Sequence, residues 1–135
     1  MKSSEAMVRE PFVAVANASA SEVAIMFKSR NISVVPVVDD HRTRRFLGVL
    51  SDRDLVTRCL AAGVDPTTTR ADTIMRTDSA VVGPDTELDG FALYMNQDPN
   101  ELHLRPTVTV VDTEHRVIGF ISHPELIPGL KIVWR

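Results

Sequence analysis

The chain has 135 residues, 44% hydrophobic and 24% charged, with a net charge of −3 and an isoelectric point near 5.8. That length fits one compact domain, or two small halves sharing a core, and the charge excludes a chain-wide attraction to nucleic acid or anionic lipid. The single cysteine, Cys59, excludes an internal disulfide, and no apolar run reaches the ~20 residues of a membrane helix.

The N-terminus, Met1 to Met7, is polar and has no signal-peptide core, so a cytoplasmic protein is expected. The first helix is expected to start at Ser19, with Glu22 three residues on as a capping-box pair. Ala20, Val23, Ala24 and Phe27 then share one face. Val34 to Val38 is β-branched and reads as a buried strand. Phe46 to Leu50 reads as its antiparallel partner, across a polar hairpin loop from Asp39 to Arg45. A second helix is expected from Asp52 to Ala62, with Leu55, Val56, Cys59 and Leu60 on its apolar side and Gly63 to stop it. The stretch from Val64 to Asp72 is turn-rich. Another helix is expected to open at Asp85 or Thr86 and to carry Leu88, Phe91, Ala92 and Met95. The insertion Asp98-Pro99-Asn100-Glu101 should end it. Val108 to Val111 and Val117 to Ile121 form a further strand pair around the loop Asp112 to Arg116. Pro128 and Gly129 break structure, leaving Lys131 to Arg135 as a short strand or tail.

Taken together, these elements occur twice. Ala6-Met7 matches Ile74-Met75, and Val13 matches Val81. Val37-Val38-Asp39 matches Val110-Val111-Asp112. Gly48-Val49-Leu50-Ser51-Asp52-Arg53-Asp54-Leu55 matches Gly119-Phe120-Ile121-Ser122-His123-Pro124-Glu125-Leu126. Each copy reads as strand, helix, strand, strand, helix. The expected division is 6–63 for the first copy, 64–72 for a linker, 73–129 for a divergent second copy and 130–135 for a C-terminal tail.

Val-Val-Pro-Val-Val-Asp followed by Gly-Val-Leu-Ser-Asp-Arg-Asp-Leu resembles the CBS domain, the module named after cystathionine β-synthase. Two in tandem resemble a Bateman module, and the short chain is similar to stand-alone bacterial CBS-pair proteins. The resemblance implies an α+β (α/β) fold: two βαββα repeats packed with pseudo-two-fold symmetry. It also implies a homodimer, and clefts between the repeats for AMP, ATP or S-adenosylmethionine as a regulatory ligand, with no cofactor required.

In that family the segment Gly-apolar-x-Ser/Thr-x-x-Asp binds a nucleoside; Gly48, Ser51 and Asp54 match it. A carboxylate at position 54 can accept from both ribose hydroxyls. Ser51 stands at a helix start, where free N–H groups and the helix dipole favour phosphate. Arg53 shares that turn and can approach a phosphate or a partner subunit. The resemblance places the adenine slot near Val13, Ala14 and Pro36. The competing reading is that Ser51 and Asp54 form only a capping box. In the second copy, Val81, Val82, Ser122 and Glu125 occupy the matching positions. Glu125 replaces the Asp and Thr109 replaces Pro36, so Ser122–Glu125 is expected to act mainly as a cap.

His41, His103, His115 and His123 share no metal-ligand spacing. Cys59 reads as core, the methionines as core filler, and Trp134 as docked on the body or against a second subunit. Arg42, Arg44 and Arg45 read as a solvated hairpin tip, so a nucleic-acid surface is not expected. No nucleophile–base set is visible, and no enzyme is expected. The leading expectation is a non-enzymatic adenosyl-ligand sensor acting on an unknown regulated protein. The alternative is a structural dimerisation or protein-interaction module with vestigial clefts.

Overall fold

The computed structural model describes residues 1–95 and 106–134. The expected insertion at Asp98-Pro99-Asn100-Glu101, and His103, lie outside the described residues. The chain has an α+β fold and divides into two compact units. One is continuous, Phe12–Thr77; the other is split, Met1–Pro11 with Asp78–Arg135.

In the continuous unit, β2 (Ala14–Val15), β3 (Val34–Val38) and β4 (Phe46–Ser51) form a sheet in that order. β2 runs parallel to β3, and β3 antiparallel to β4. β-Branched residues fill β3 because pleated, buried backbone accommodates their stiff side chains. Helix α2 (Ala20–Arg30) starts where expected: the Glu22 N–H donates to the Ser19 hydroxyl, 3.1 Å away. It ends on Asn31 at φ 54°, a left-handed residue that lets two N–H groups, of Asn31 and Ile32, reach the Phe27 carbonyl. Its buried side chains Val23 and Phe27 meet Val35, Val37, Leu50, Cys59 and Ile74. Fully burying a side chain such as Leu50 stabilises the fold by roughly 1.5–3 kcal/mol. Ala24, expected on that face, is exposed.

After β4 the chain turns into α3 (Asp52–Asp54) and then a π-helical segment, Leu55–Leu60. The wider turn, with the Ala61 N–H bonded to the Val56 carbonyl, changes which residues face the core. Cys59 stays buried as expected, but Val56 is 50% and Leu60 68% exposed. The apolar stripe drawn at ordinary helical spacing is thereby corrected. Gly63, at φ 72°, sits just past the end, where its N–H bonds Leu60 and that of Val64 bonds Cys59. Helix α4 (Ala71–Ile74) closes the unit.

The split unit begins with α1 (Ser3–Ala6) and β1 (Val8–Arg9). After residue 77 it adds β5 (Ala80–Val82), β6 (Ala92–Met95), β7 (Val108–Val111), β8 (Val117–Ile121), a 3₁₀ turn at Pro124–Leu126, and β9 (Lys131–Trp134). Its main sheet has the order β1-β8-β7-β5, and β6 pairs in parallel with β9. The expected helix across Leu88–Met95 is not formed. Gly90, at φ 76°, breaks it, and Ala92–Met95 becomes a strand because a distant partner supplies its hydrogen bonds. Leu88 and Leu93 both reach the core.

The two sheets repeat one scheme. β5 is parallel to β7, and β7 antiparallel to β8, as β2, β3 and β4 are. Both hairpins slip register at the matching pair, Val37/Val38 and Val110/Val111. The short N-terminal segments are exchanged between the sequence repeats. Val8 and Arg9 pair with Phe120 and Gly119, while Arg76 bridges to Val49. The compact units therefore follow hydrogen bonding, whereas the repeats follow sequence order.

Candidate functional site

The candidate residues of the first repeat all belong to the continuous unit. Register sorts them by face. Pro36 lies opposite Val49 and Val34 opposite Ser51, so Pro36 and Ser51 share one face. Ala14 pairs with Val37 on the other face, within the core. Val13 and Pro36 are buried. Arg53 is exposed and has no ion pair among the described residues.

Gly48 has a packing reason. A Cβ there would lie 2.5 Å from the Arg76 carbonyl oxygen and 2.8 Å from Met75 Sδ. The strand crossing at Arg76, whose N–H and carbonyl both bond Val49 at 2.8 Å, needs that space. Gly119 plays the same part against the Met7 side chain in the split unit.

Ser51 and Asp54 form a reciprocal cap. The Asp54 N–H donates to Ser51 Oγ (3.2 Å), while the Ser51 N–H (2.9 Å) and hydroxyl (3.0 Å) donate to Asp54 Oδ2. The other carboxylate oxygen, Oδ1, accepts from Arg76 Nε at 2.8 Å, with Arg58 Nε at 3.9 Å. The Asp54 side chain is 1% exposed and that of Arg76 20%. A buried carboxylate requires such partners, since an unpaired one would neutralise instead. Arg58 is also braced, donating from Nη1 to the Met75 carbonyl at 3.0 Å.

The expected free N–H groups at this helix start are corrected. The Asp52 N–H bonds the Ser33 carbonyl, that of Arg53 the Asp52 carboxylate, that of Asp54 the Ser51 hydroxyl and that of Leu55 the Asp52 carbonyl. Backbone donors are thus taken, and positive charge here comes from arginine side chains. Arg76 escaped the sequence reading. Its signal was a charged residue at the position matching Val8, inside a strand crossing.

The second repeat's candidates are arranged differently. Val81 is exposed, Val82 is core, Ser122 is half-buried and Glu125 is exposed. No side chain caps the Pro124–Leu126 turn, so the expected Ser122–Glu125 cap is absent. Glu125 instead lies 3.4 Å from His123 Nδ1. Pro124 explains the difference: its ring removes an N–H, and only a 3₁₀ turn follows. Thr109, fully buried in the place of Pro36, has a hydroxyl without a partner among the described residues. Among the described residues no three His, Cys, Asp or Glu side chains gather as metal ligands. No helix there is long and apolar enough to cross a membrane.

A parallel-antiparallel sheet scheme built twice with exchanged N-terminal segments, and in one copy ending in a Ser-capped helix, is a CBS-type fold, and the family comparison agrees. The family model of the CBS domain matches residues 4–61, and the chain resembles tandem CBS-domain proteins, stand-alone bacterial ones included. Among individual proteins, it is 28% identical over 99 residues to hypoxic response protein 1 of Mycobacterium tuberculosis, a match covering 73% of this chain and 64% of that protein. The match thus spans less than two thirds of that relative. A crystal structure of hypoxic response protein I with two coordinated zinc ions superposes with a TM-score of 0.70 at 22% identity, covering 93% of this chain and 96% of that one. A CBS domain protein of Pyrobaculum aerophilum complexed with AMP gives 0.67 at 22% identity, covering 94% and 91%.

Proposed function

We propose that this chain is a cytoplasmic, non-enzymatic regulatory module that binds an adenosyl ligand in the continuous unit and, as a homodimer, biases the activity of a partner protein. The observation that carries the reading is the Asp54 carboxylate at the end of β4, set among Arg58 and Arg76 in a CBS domain. A carboxylate accepts two ribose hydroxyls, and the nearby guanidiniums match phosphate. Val13, Pro36, Ser51 and Arg53 complete the proposed site; Ala14 and Gly48, whose Cβ directions lie on the opposite face of the sheet, would contribute backbone groups. The AMP held by the Pyrobaculum aerophilum protein supports the ligand class. The proposed second site at Val81, Val82, Ser122 and Glu125 is weaker, because Glu125 lacks the enclosure that Asp54 has.

A second reading rests on the saturation of Asp54. Its hydrogen bonds are all internal, as are those of Ser51, and Gly48 is accounted for by strand packing. On that reading the chain is a structural or interaction module. Titration calorimetry with AMP, ATP and S-adenosylmethionine separates the two. The sensor predicts saturable binding that Asp54→Asn weakens by about ten- to a hundred-fold, the worth of charge-assisted hydrogen bonds. Wild-type protein that binds none of the three establishes the structural reading.

A further inference from the structure

We propose that Arg76 is the charge-selecting residue of this site, pairing with Asp54 and taking the phosphate when a ribose replaces it at that carboxylate. The inference rests on the adenosyl reading above and narrows it to phosphate-bearing ligands.

Arg76 is anchored through its backbone but engaged by only part of its side chain. Its N–H and carbonyl are fixed to Val49, whereas the guanidinium contributes Nε alone to Asp54 Oδ1. The two Nη groups make no hydrogen bond among the described residues. A guanidinium has five donors in a fixed fork, so most of its capacity is unspent. Asp54, at 1% exposure, cannot receive a ribose while Arg76 covers Oδ1. Oδ2 stays with Ser51, so the exchange concerns one oxygen.

The charge balance then decides the ligand. Arg58 and Arg76 share Asp54 as their one ion-pair partner among the described residues, which leaves one positive charge in excess there. A neutral nucleoside that displaced Arg76 would leave a partly buried guanidinium unpaired. S-Adenosylmethionine would add its sulfonium cation beside arginines. A phosphate accepts the Nη fork and restores the balance. The residue that obstructs the ribose becomes the partner of the group attached to it.

The test is calorimetric titration of the full chain with AMP, adenosine and S-adenosylmethionine, for wild type and Arg76→Gln. The wild type should favour AMP over adenosine by about tenfold or more. Arg76→Gln should bind AMP more weakly and adenosine more tightly, bringing the two within roughly threefold. Should Arg76→Gln fail to fold by its melting curve, Arg76→Lys is read instead. It keeps the charge and loses the fork, and the preference should shrink without vanishing. An unchanged preference in the variant, or tighter binding of S-adenosylmethionine than AMP by wild type, overturns the role of Arg76 while the adenosyl reading stands. Absence of binding to every compound by wild type and variant alike defeats that reading and this inference together.

Discussion

Ser51–Asp54 and Ser122–Glu125 occupy equivalent places in a duplicated sequence, yet only one is a cap. In the continuous unit the acid turns inward, binds back to Ser51 and takes Arg76 as a counter-ion. In the split unit, a proline and one extra methylene leave the acid outside beside His123. A short motif therefore reports a position in the fold, not the task of its side chain. The partner across the strand crossing differs as well. Arg76 demands a buried carboxylate; Val8, at the matching place, does not.

The widest gap should appear on removing the acids. Asp54→Ala leaves a partly buried Arg76 unpaired and the Ser51 N–H without its acceptor. It should destabilise by roughly 3 kcal/mol, the low end for breaking a buried pair, because Arg76 keeps some solvent. Glu125→Ala should stay within about 0.5 kcal/mol, as an exposed pair does. Urea denaturation of both variants measures this, and equal losses would erase the distinction. The two motif glycines give a smaller contrast. Gly48→Ala presses a methyl against the Arg76 backbone carbonyl and should cost about 1–3 kcal/mol. Gly119→Ala meets Met7 from Sδ down to its Cβ at 2.8 Å; the outer atoms can swing aside and the Cβ cannot, so it should cost only somewhat less. A larger loss at Gly119 would mean that Met7 is as fixed as backbone.

The hairpin carboxylates should show almost no difference. The Thr43 hydroxyl, then backbone N–H groups of Asp40 and Arg45, hold the Asp39 carboxyl below its ordinary range. The Arg116 N–H, then its guanidinium, lower Asp112 likewise. A lowered folded value means that the stabilisation is complete above the unfolded value near 3.9 and is lost as pH falls through the folded one. Both turns should thus keep protected Arg45 and Arg116 amides at pH 4, followed by NMR. Loss of protection in one hairpin alone would show that the repeat does not extend to its turns.

Much of this was legible in sequence. β3, β4, β7 and β8 announced themselves because β-branched runs bounded by polar turns have few other solutions. Ser19 and Gly63 marked helix ends through local chemistry. The stripe Leu88–Phe91–Ala92–Met95 misled, since the pairing of Ala92–Met95 with Lys131–Trp134 is non-local and overrides periodicity. Asp89-Gly90 was the overlooked warning, a turn dipeptide inside the supposed helix. In the site, the Ser51–Asp54 bond could be read from spacing. Its ion pair with Arg76 could not, because an exchanged segment delivers that residue.

The exchange also sets a timetable. As the polypeptide leaves the ribosome, Phe12–Thr77 has every strand it needs once Arg76 emerges. Met1–Pro11, made before that unit, must wait for β8 before Val8 and Arg9 find partners. At roughly 5–20 residues per second, that delay lasts seconds, long compared with the folding of a small domain. A segment made ahead of the continuous unit is thus tied down after it.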